Sequence, residues 1–163
     1  MKLFLIRHGE AIDFETQSVK TDEYRFITPK GRKASRDVFR KIKEHFYGLE
    51  IIFTSPLTRA VQTAEILANI LKFENDVEIA NELDFETTPG KMLDLIKRNS
   101  SLESIALVGH EPVMGLFVSS FTDRNVLNFS FKKSGVALIN FDVKKGTGEF
   151  AWYFDPKSRE YIK

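Results

Sequence analysis

The sequence predicts an α/β fold of three layers, with helices on both faces of a mostly parallel sheet and an antiparallel strand at its edge. Three observations carry this expectation. Leu3-Phe4-Leu5-Ile6 and Ile105-Ala106-Leu107-Val108 are short, unbroken apolar runs that end at Arg7-His8-Gly9 and Gly109-His110-Glu111-Pro112, as strands buried on both faces of a parallel sheet do. Segments of helical periodicity lie between such runs, the alternation that builds parallel βαβ units. From Ser134 onward the chain is β-rich in succession, which suits a hairpin and an antiparallel edge.

Each element has a local reason. The first strand, Lys2 to Ile6, leads to a polar stretch from Asp13 to Phe26 without periodicity, read as an irregular loop over the strand's carboxyl end. Its charges, Asp13, Glu15, Lys20, Asp22, Glu23 and Arg25, are of both signs and give no strong steering. Thr28-Pro29-Lys30-Gly31 starts a helix, with Thr28 as N-cap and Pro29 at the first helical position. Ala34, Val38, Ile42 and Phe46 then share one face as far as Tyr47, and Gly48 stops the helix. A strand from Glu50 to Thr54 passes through Ser55-Pro56 into a helix over Leu57 to Leu71, buried through Ala60, Ala64, Leu67 and Leu71. Val77 to Ala80 is a short strand, Pro89 begins a helix through Arg98, and Ser104 to Val108 is the fourth strand. Pro112 opens a helix to Ser120, and Ser134 to Val143 with Glu149 to Phe154 makes a hairpin around Lys145-Gly146-Thr147-Gly148.

Bulk properties narrow the classes of function. The 163 residues suit one domain spanning 1–163 and leave no room for a second. A net charge of +1, with scattered basic residues, excludes the footprint of a nucleic-acid binder. With no cysteine, disulfides, thiolate nucleophiles and cysteine-bound metals are all excluded. Arg7 interrupts the apolar start and no small-residue cleavage site follows, so Met1 to Ile6 is a strand rather than a signal peptide. No apolar run approaches the roughly twenty residues that a membrane span needs, and a cytoplasmic location is the expectation. The fifteen phenylalanines read as core and pocket walls, since basic residues do not interleave with them in a stripe.

The chemistry lies at the strand ends, where ligands of open α/β sheets collect. Two of these ends carry His8 and His110, and Arg7 and Arg59 supply guanidinium forks. A neutral imidazole at His8 can attack a phosphoryl group in line and carry it as phosphohistidine. That attack needs the phosphoryl charge held and neutralised, which the two forks do bidentately. A protonated His110 would add a third positive donor, and the N–H groups after Pro112 a weaker one.

At this point the residues match a family. Arg7-His8-Gly9-Glu10-Ala11, Ser55-Pro56-Leu57-Thr58-Arg59-Ala60-Val61-Gln62-Thr63-Ala64-Glu65 and Val108-Gly109-His110-Glu111-Pro112 resemble, in order and spacing, the signature blocks of the histidine phosphatase superfamily. Ile27-Thr28-Pro29-Lys30-Gly31 resembles its Leu-Thr-x-x-Gly block, with Ile27 in place of the leucine. The resemblance spans Met1 to Gly115 and looks most like the bacterial phosphohistidine phosphatases. It implies a phosphoglycerate mutase-like fold and a hydrolase without cofactor. It also implies His8 as nucleophile, His110 as second catalytic histidine, Arg7 and Arg59 on phosphate, and Gly9 and Glu111 among the substrate-binding positions.

One block is indistinct. Many phosphoester-cleaving relatives carry an acid where this chain has Asn81 to Gly90, and Glu82 and Glu86 are the candidate general acids. Leu83 to Gly90 looks more like the Leu-x-Pro-x-Gly form of the phosphohistidine enzymes, which manage without one. The expected partner is then a phosphorylated protein such as a histidine phosphotransfer domain. A small phosphate ester handled by a phosphomonoesterase or mutase is the alternative, and a non-catalytic phosphate-reading module with His8 blocked is another. A metal is not expected, because neither histidine belongs to a paired metal motif and two arginines would repel a cation. Taken singly, Arg59 reads as a solvated helix residue paired with Glu10 or Glu65, His45 as an exposed helix-end residue, and Ser134-Gly135 as a turn before an edge strand.

Overall fold

The computed structural model describes residues 1–13, 19–123 and 131–163. Part of the anticipated loop from Asp13 to Phe26, residues 14–18, lies outside them. In chain order the strands are β1 Lys2–Arg7, β2 Ile51–Thr54, β3 Val77–Ile79, β4 Ser104–Gly109, β5 Val136–Asp142, β6 Thr147–Asp155 and β7 Glu160–Ile162. The helices are α1 Pro29–Lys41, α2 Thr58–Leu71, α3 Pro89–Arg98 and α4 Val113–Phe121. One seven-stranded sheet runs β3-β2-β4-β1-β5-β6-β7. The first four of these strands pair in parallel, and β5, β6 and β7 continue antiparallel from β1.

Alternation along β1 explains the layers, because successive side chains of a strand point to opposite faces. Leu3 and Leu5 pack with Met92, Ile96, Met114 and Phe117 of α3 and α4, whereas Phe4 and Ile6 pack with Val38, Phe39, Ala60 and Leu67 of α1 and α2. Both faces of the central strands are thus dry. The parallel register sets Arg7 opposite Gly109, so the two histidine-bearing ends leave the sheet side by side.

Thr28 caps α1 as expected, its hydroxyl accepting from Gly31 N at 2.9 Å, and Pro29 is the first helical residue. Gly31 is required by close approach. A Cβ there would collide with the carbonyl of Glu10, whose oxygen accepts from Thr28 N at 2.8 Å. The helix ends at Lys41, earlier than the periodicity suggested, and a 3-10 turn over Lys43–Phe46 finishes it. That tighter turn still buries Phe46, against the ring of Phe4 at 4.5 Å between centroids. Ala34 and Leu71, expected in buried stripes, are half-buried, and Phe39 takes core volume instead. Gly48, at φ +80°, occupies the left-handed region that stops the segment.

The tail differs from expectation in one respect. The antiparallel edge is β7, too short and polar a segment to stand out in the sequence, while β6 lies one strand further in. Tyr161 anchors β7 by packing edge-on to Trp152 and Phe154 and bonding His45 Nε2 at 2.9 Å. His45 is exposed, as anticipated, and its ring lies 4.7 Å from that of Trp152.

Gly135, at the head of β5, has no room for a side chain. A Cβ there would collide with the ring of Tyr153, which is fully buried and cannot yield. Gly135→Ala should therefore cost roughly 1–3 kcal/mol as an overpacking change, read as a lowered urea midpoint. An unchanged midpoint would show that the ring has space to move.

Candidate active site

His8 follows the last residue of β1, and its backbone N donates to Gly109 O at 3.0 Å. The residue is 8% exposed, and its Nδ1 lies 2.7 Å from Gly9 O. A carbonyl only accepts, so Nδ1 carries the proton and Nε2 keeps its lone pair. Burial lowers the His8 pKa to about 3; the Gly9 hydrogen bond opposes this, and Arg59, Arg7 and Lys133 reinforce it. The imidazole is neutral across the physiological range.

The ring of His110 lies 5.0 Å from that of His8, centroid to centroid. Its Nε2 is 2.8 Å from Ser55 Oγ, and its buried Nδ1 has no hydrogen-bond partner among the described residues. The third positive donor that a protonated His110 would supply is not what its surroundings favour. Burial first, then His8 and Arg59, lowers its pKa to about 3, so both imidazoles are neutral.

Arg59 begins the first turn of α2 and is 5% exposed. Its partner is Asp22, rather than Glu10 or Glu65: Nη1 donates to Asp22 O at 2.9 Å and Nη2 lies 2.9 Å from Asp22 Oδ2. Glu10 is instead beside Lys30 Nζ at 3.4 Å. Arg7 donates from Nη1 to Phe131 O at 2.6 Å, and its buried Nε has no hydrogen-bond partner among the described residues. The strand end is held rigidly. Gly9 N donates to Thr63 Oγ1 at 3.0 Å, and Thr63 donates in turn to Arg59 O at 2.7 Å.

Glu111 turns both carboxylate oxygens to the backbone, accepting from Phe131 N at 2.9 Å and Gly115 N at 3.0 Å. Burial pushes its pKa up against those bonds. The geometry makes it a brace beneath Arg7, because the same Phe131 accepts from that arginine. Ser134 is more than a turn residue: buried at φ +68°, its N–H reaches Arg7 O and His8 O at 3.1 Å each.

The two candidate acids are not gathered in. Glu82 pairs with Arg98 on α3, and hydrogen bonding within its own residue and to Arg98 holds its carboxyl below the usual range. Glu86 is exposed, with no hydrogen bond or ion pair to the pocket among the described residues. Asp84 is the acid of this stretch whose charge bears on Arg59. Sequence reasoning thus missed Asp22, Ser55, Thr63 and Asp84. Ser55 and Thr63 stood inside the quoted Ser55 to Glu65 block, whereas Asp22 was one charge among six.

The family model of the histidine phosphatase superfamily (branch 1) matches residues 3–93. The chain belongs to that superfamily. It is a phosphatase-type hydrolase. An uncharacterized protein from Picosynechococcus sp. is 30% identical over 83% of this chain and 82% of its own length. The structure of the protein histidine phosphatase SixA complexed with tungstate has a TM-score of 0.87 at 25% identity, covering 98% of this chain and 100% of that one. The mitochondrial serine/threonine-protein phosphatase Pgam5 of Drosophila mojavensis is 29% identical over 66% of this chain, which spans 32% of its length. The α/β sheet with helices on both sides is the phosphoglycerate mutase-like fold. Among the described residues no helix is long and apolar enough to cross a membrane, and no group of three or more His, Asp or Glu side chains converges as a metal site.

The lowered histidine values carry a stability consequence. An unfolded histidine titrates near 6.5, and the folded His8 and His110 at about 3, so between these values the unfolded chain binds more protons and stability rises with pH. The contribution is complete above about pH 6.5 and is lost as pH falls toward 3, with a limiting slope of about 1.4 kcal/mol per pH unit for each proton bound differentially. Urea unfolding at pH 7 and pH 4.5 should show a smaller loss for His8→Asn than for the parent. An identical loss would place the acid sensitivity elsewhere.

Proposed function

We propose that this protein removes the phosphoryl group from phosphohistidine in a partner protein, through a phosphohistidine intermediate on His8. The observation that carries this reading is the Nδ1 bond of His8 to Gly9 O, which leaves a neutral Nε2 as the attacking atom, with His110 beside it and the charges of Arg59 and Arg7 acting on it. In the first step the substrate N–P bond breaks as the Nε2–P bond forms, and the substrate ring, protonated on its other nitrogen, leaves as neutral imidazole while the arginines balance charge on the phosphoryl oxygens. In the second, water attacks phosphorus, the Nε2–P bond breaks, and His110 accepts the water's proton. Neutrality suits His110 to that role.

The leaving group argues for phosphohistidine over an ester. An alkoxide needs a proton from a positioned acid, whereas an imidazole departs far more readily. Glu82 is tied to Arg98 and held ionised, and Glu86 is exposed. The likeness to SixA, whose structure was solved with a tetrahedral oxyanion, points the same way. A protein phosphomonoester is the second reading, drawn from the likeness to Pgam5 and from Asp84, the acid between Asn81 and Gly90 whose charge bears on Arg59.

The deciding measurement is turnover of a phosphohistidine protein against phosphoserine peptides and small phosphate esters, with and without chelator. Phosphohistidine protein should be turned over fastest, and chelator should change nothing; preferred cleavage of esters, or inhibition by chelator that a metal reverses, would overturn the reading. His8→Ala should abolish turnover, and Arg59→Lys should lower it by about 10²-fold or more through loss of the fork. Glu82→Gln and Glu86→Gln should each cost less than about tenfold, against the 10² to 10⁴ lost with a working general acid. A larger loss in Asp84→Asn would move the assignment to the ester. Because both histidines titrate at about 3 in the free protein, the acid limb of kcat/KM should lie well below pH 6.5.

A further inference from the structure

We propose that Asp22 is a built-in rival of the phosphoryl group for Arg59, a carboxylate that yields the guanidinium to substrate and competes to take it back from inorganic phosphate. The inference rests on the reading that Arg59 receives phosphate. Both terminal nitrogens of Arg59 are engaged by this one residue, Nη1 by its backbone oxygen and Nη2 by Oδ2 at 2.9 Å each. An end-on bidentate grip on a phosphoryl group uses those same two nitrogens. For that grip the Asp22 carboxylate has to give way.

Exposure decides which group moves. The Arg59 side chain is 6% exposed and the Asp22 side chain 43%, so the arginine is fixed by its surroundings and the carboxylate stands at the solvent side. Asp22 belongs to a 3-10 turn over Asp22–Tyr24 that buries no residue, so displacing it disturbs no core. Its other oxygen accepts from Arg25 Nη1 at 2.8 Å, while Arg25 Nε donates to Ile12 O at 2.6 Å. Arg25 thus gives the carboxylate a second cation to rest on when Arg59 is taken. A buried guanidinium left without an anion is costly, and exchange of carboxylate for phosphoryl keeps it paired throughout. The same exchange, run in reverse, speeds departure of product.

Isothermal titration with inorganic phosphate tests this without any turnover. Asp22→Asn removes the charge while retaining an acceptor for Arg59, and it should bind phosphate at least tenfold more tightly than the parent. Asp22→Glu should stay within a few-fold of the parent, and the gain should vanish when Asp22→Asn is combined with Arg59→Lys. In pre-steady-state assays Asp22→Asn should show a burst followed by a slower steady rate. Should Asp22→Asn unfold, Asp22→Ser replaces it with the same expected gain. Phosphate binding that is unchanged or weaker in the neutral variants overturns the proposal and leaves the phosphatase reading standing. No phosphate binding by the parent or any variant overturns both.

Discussion

The pairing of β1 with β4 is the constraint from which the pocket follows. A parallel register placing Arg7 opposite Gly109 brings two sequence-distant strand ends to one level, and the bond from His8 N to Gly109 O extends the ladder by one residue beyond the strand. His8 and His110 therefore leave the sheet as neighbours with ring centroids 5.0 Å apart. A slip of one residue would turn every apolar side chain of β1 to the opposite face. The apolar core on both sides of the sheet holds this register, and the placement of the two histidines inherits its precision from packing.

Once the strand ends are fixed, backbone groups do most of the positioning. Gly9 O selects the tautomer of His8, Phe131 O holds Arg7, and Asp22 O shares in holding Arg59. The carboxylate of Glu111 ties two backbone amides, those of Phe131 and Gly115, and so joins the segment under Arg7 to α4. The Thr63 hydroxyl, accepting from Gly9 N, and the Ser134 N–H, donating to Arg7 O and His8 O, keep the loop after β1 from shifting. The charges of Arg59 and Arg7 join burial in keeping both imidazoles neutral.

The strands and helices were readable because their signals are local: unbroken apolar runs, a threonine before proline, apolar residues at helical spacing. The convergence of Arg7, His8, Arg59 and His110 was readable because parallel strand ends share one edge. Other features depend on partners distant in sequence. The ion pair of Arg59 with Asp22 spans a loop without periodicity, and β7 owes its place to packing of Tyr161 on Trp152 rather than to any pattern in Glu160-Tyr161-Ile162. The protonation of His110 stayed a condition in the sequence for a related reason. Charge on an imidazole depends on burial and on neighbouring cations, and a sequence displays neither. Glu82 was a fair candidate acid until Arg98, sixteen residues on, proved to be its partner.

The chain has a single tryptophan, and its position divides the molecule into two spectroscopic zones. Trp152 lies under His45 and Tyr161, with the ring of Phe4 at 6.4 Å. Phe4 is four residues before His8 along β1, a separation of about 13 Å at roughly 3.3 Å per residue. Indole fluorescence therefore watches the antiparallel half of the sheet and the seating of its last strand, and it is blind to anion exchange at the pocket. The built-in optical reporter follows integrity of the fold, so unfolding and ligand occupancy can be followed as separate signals in one sample.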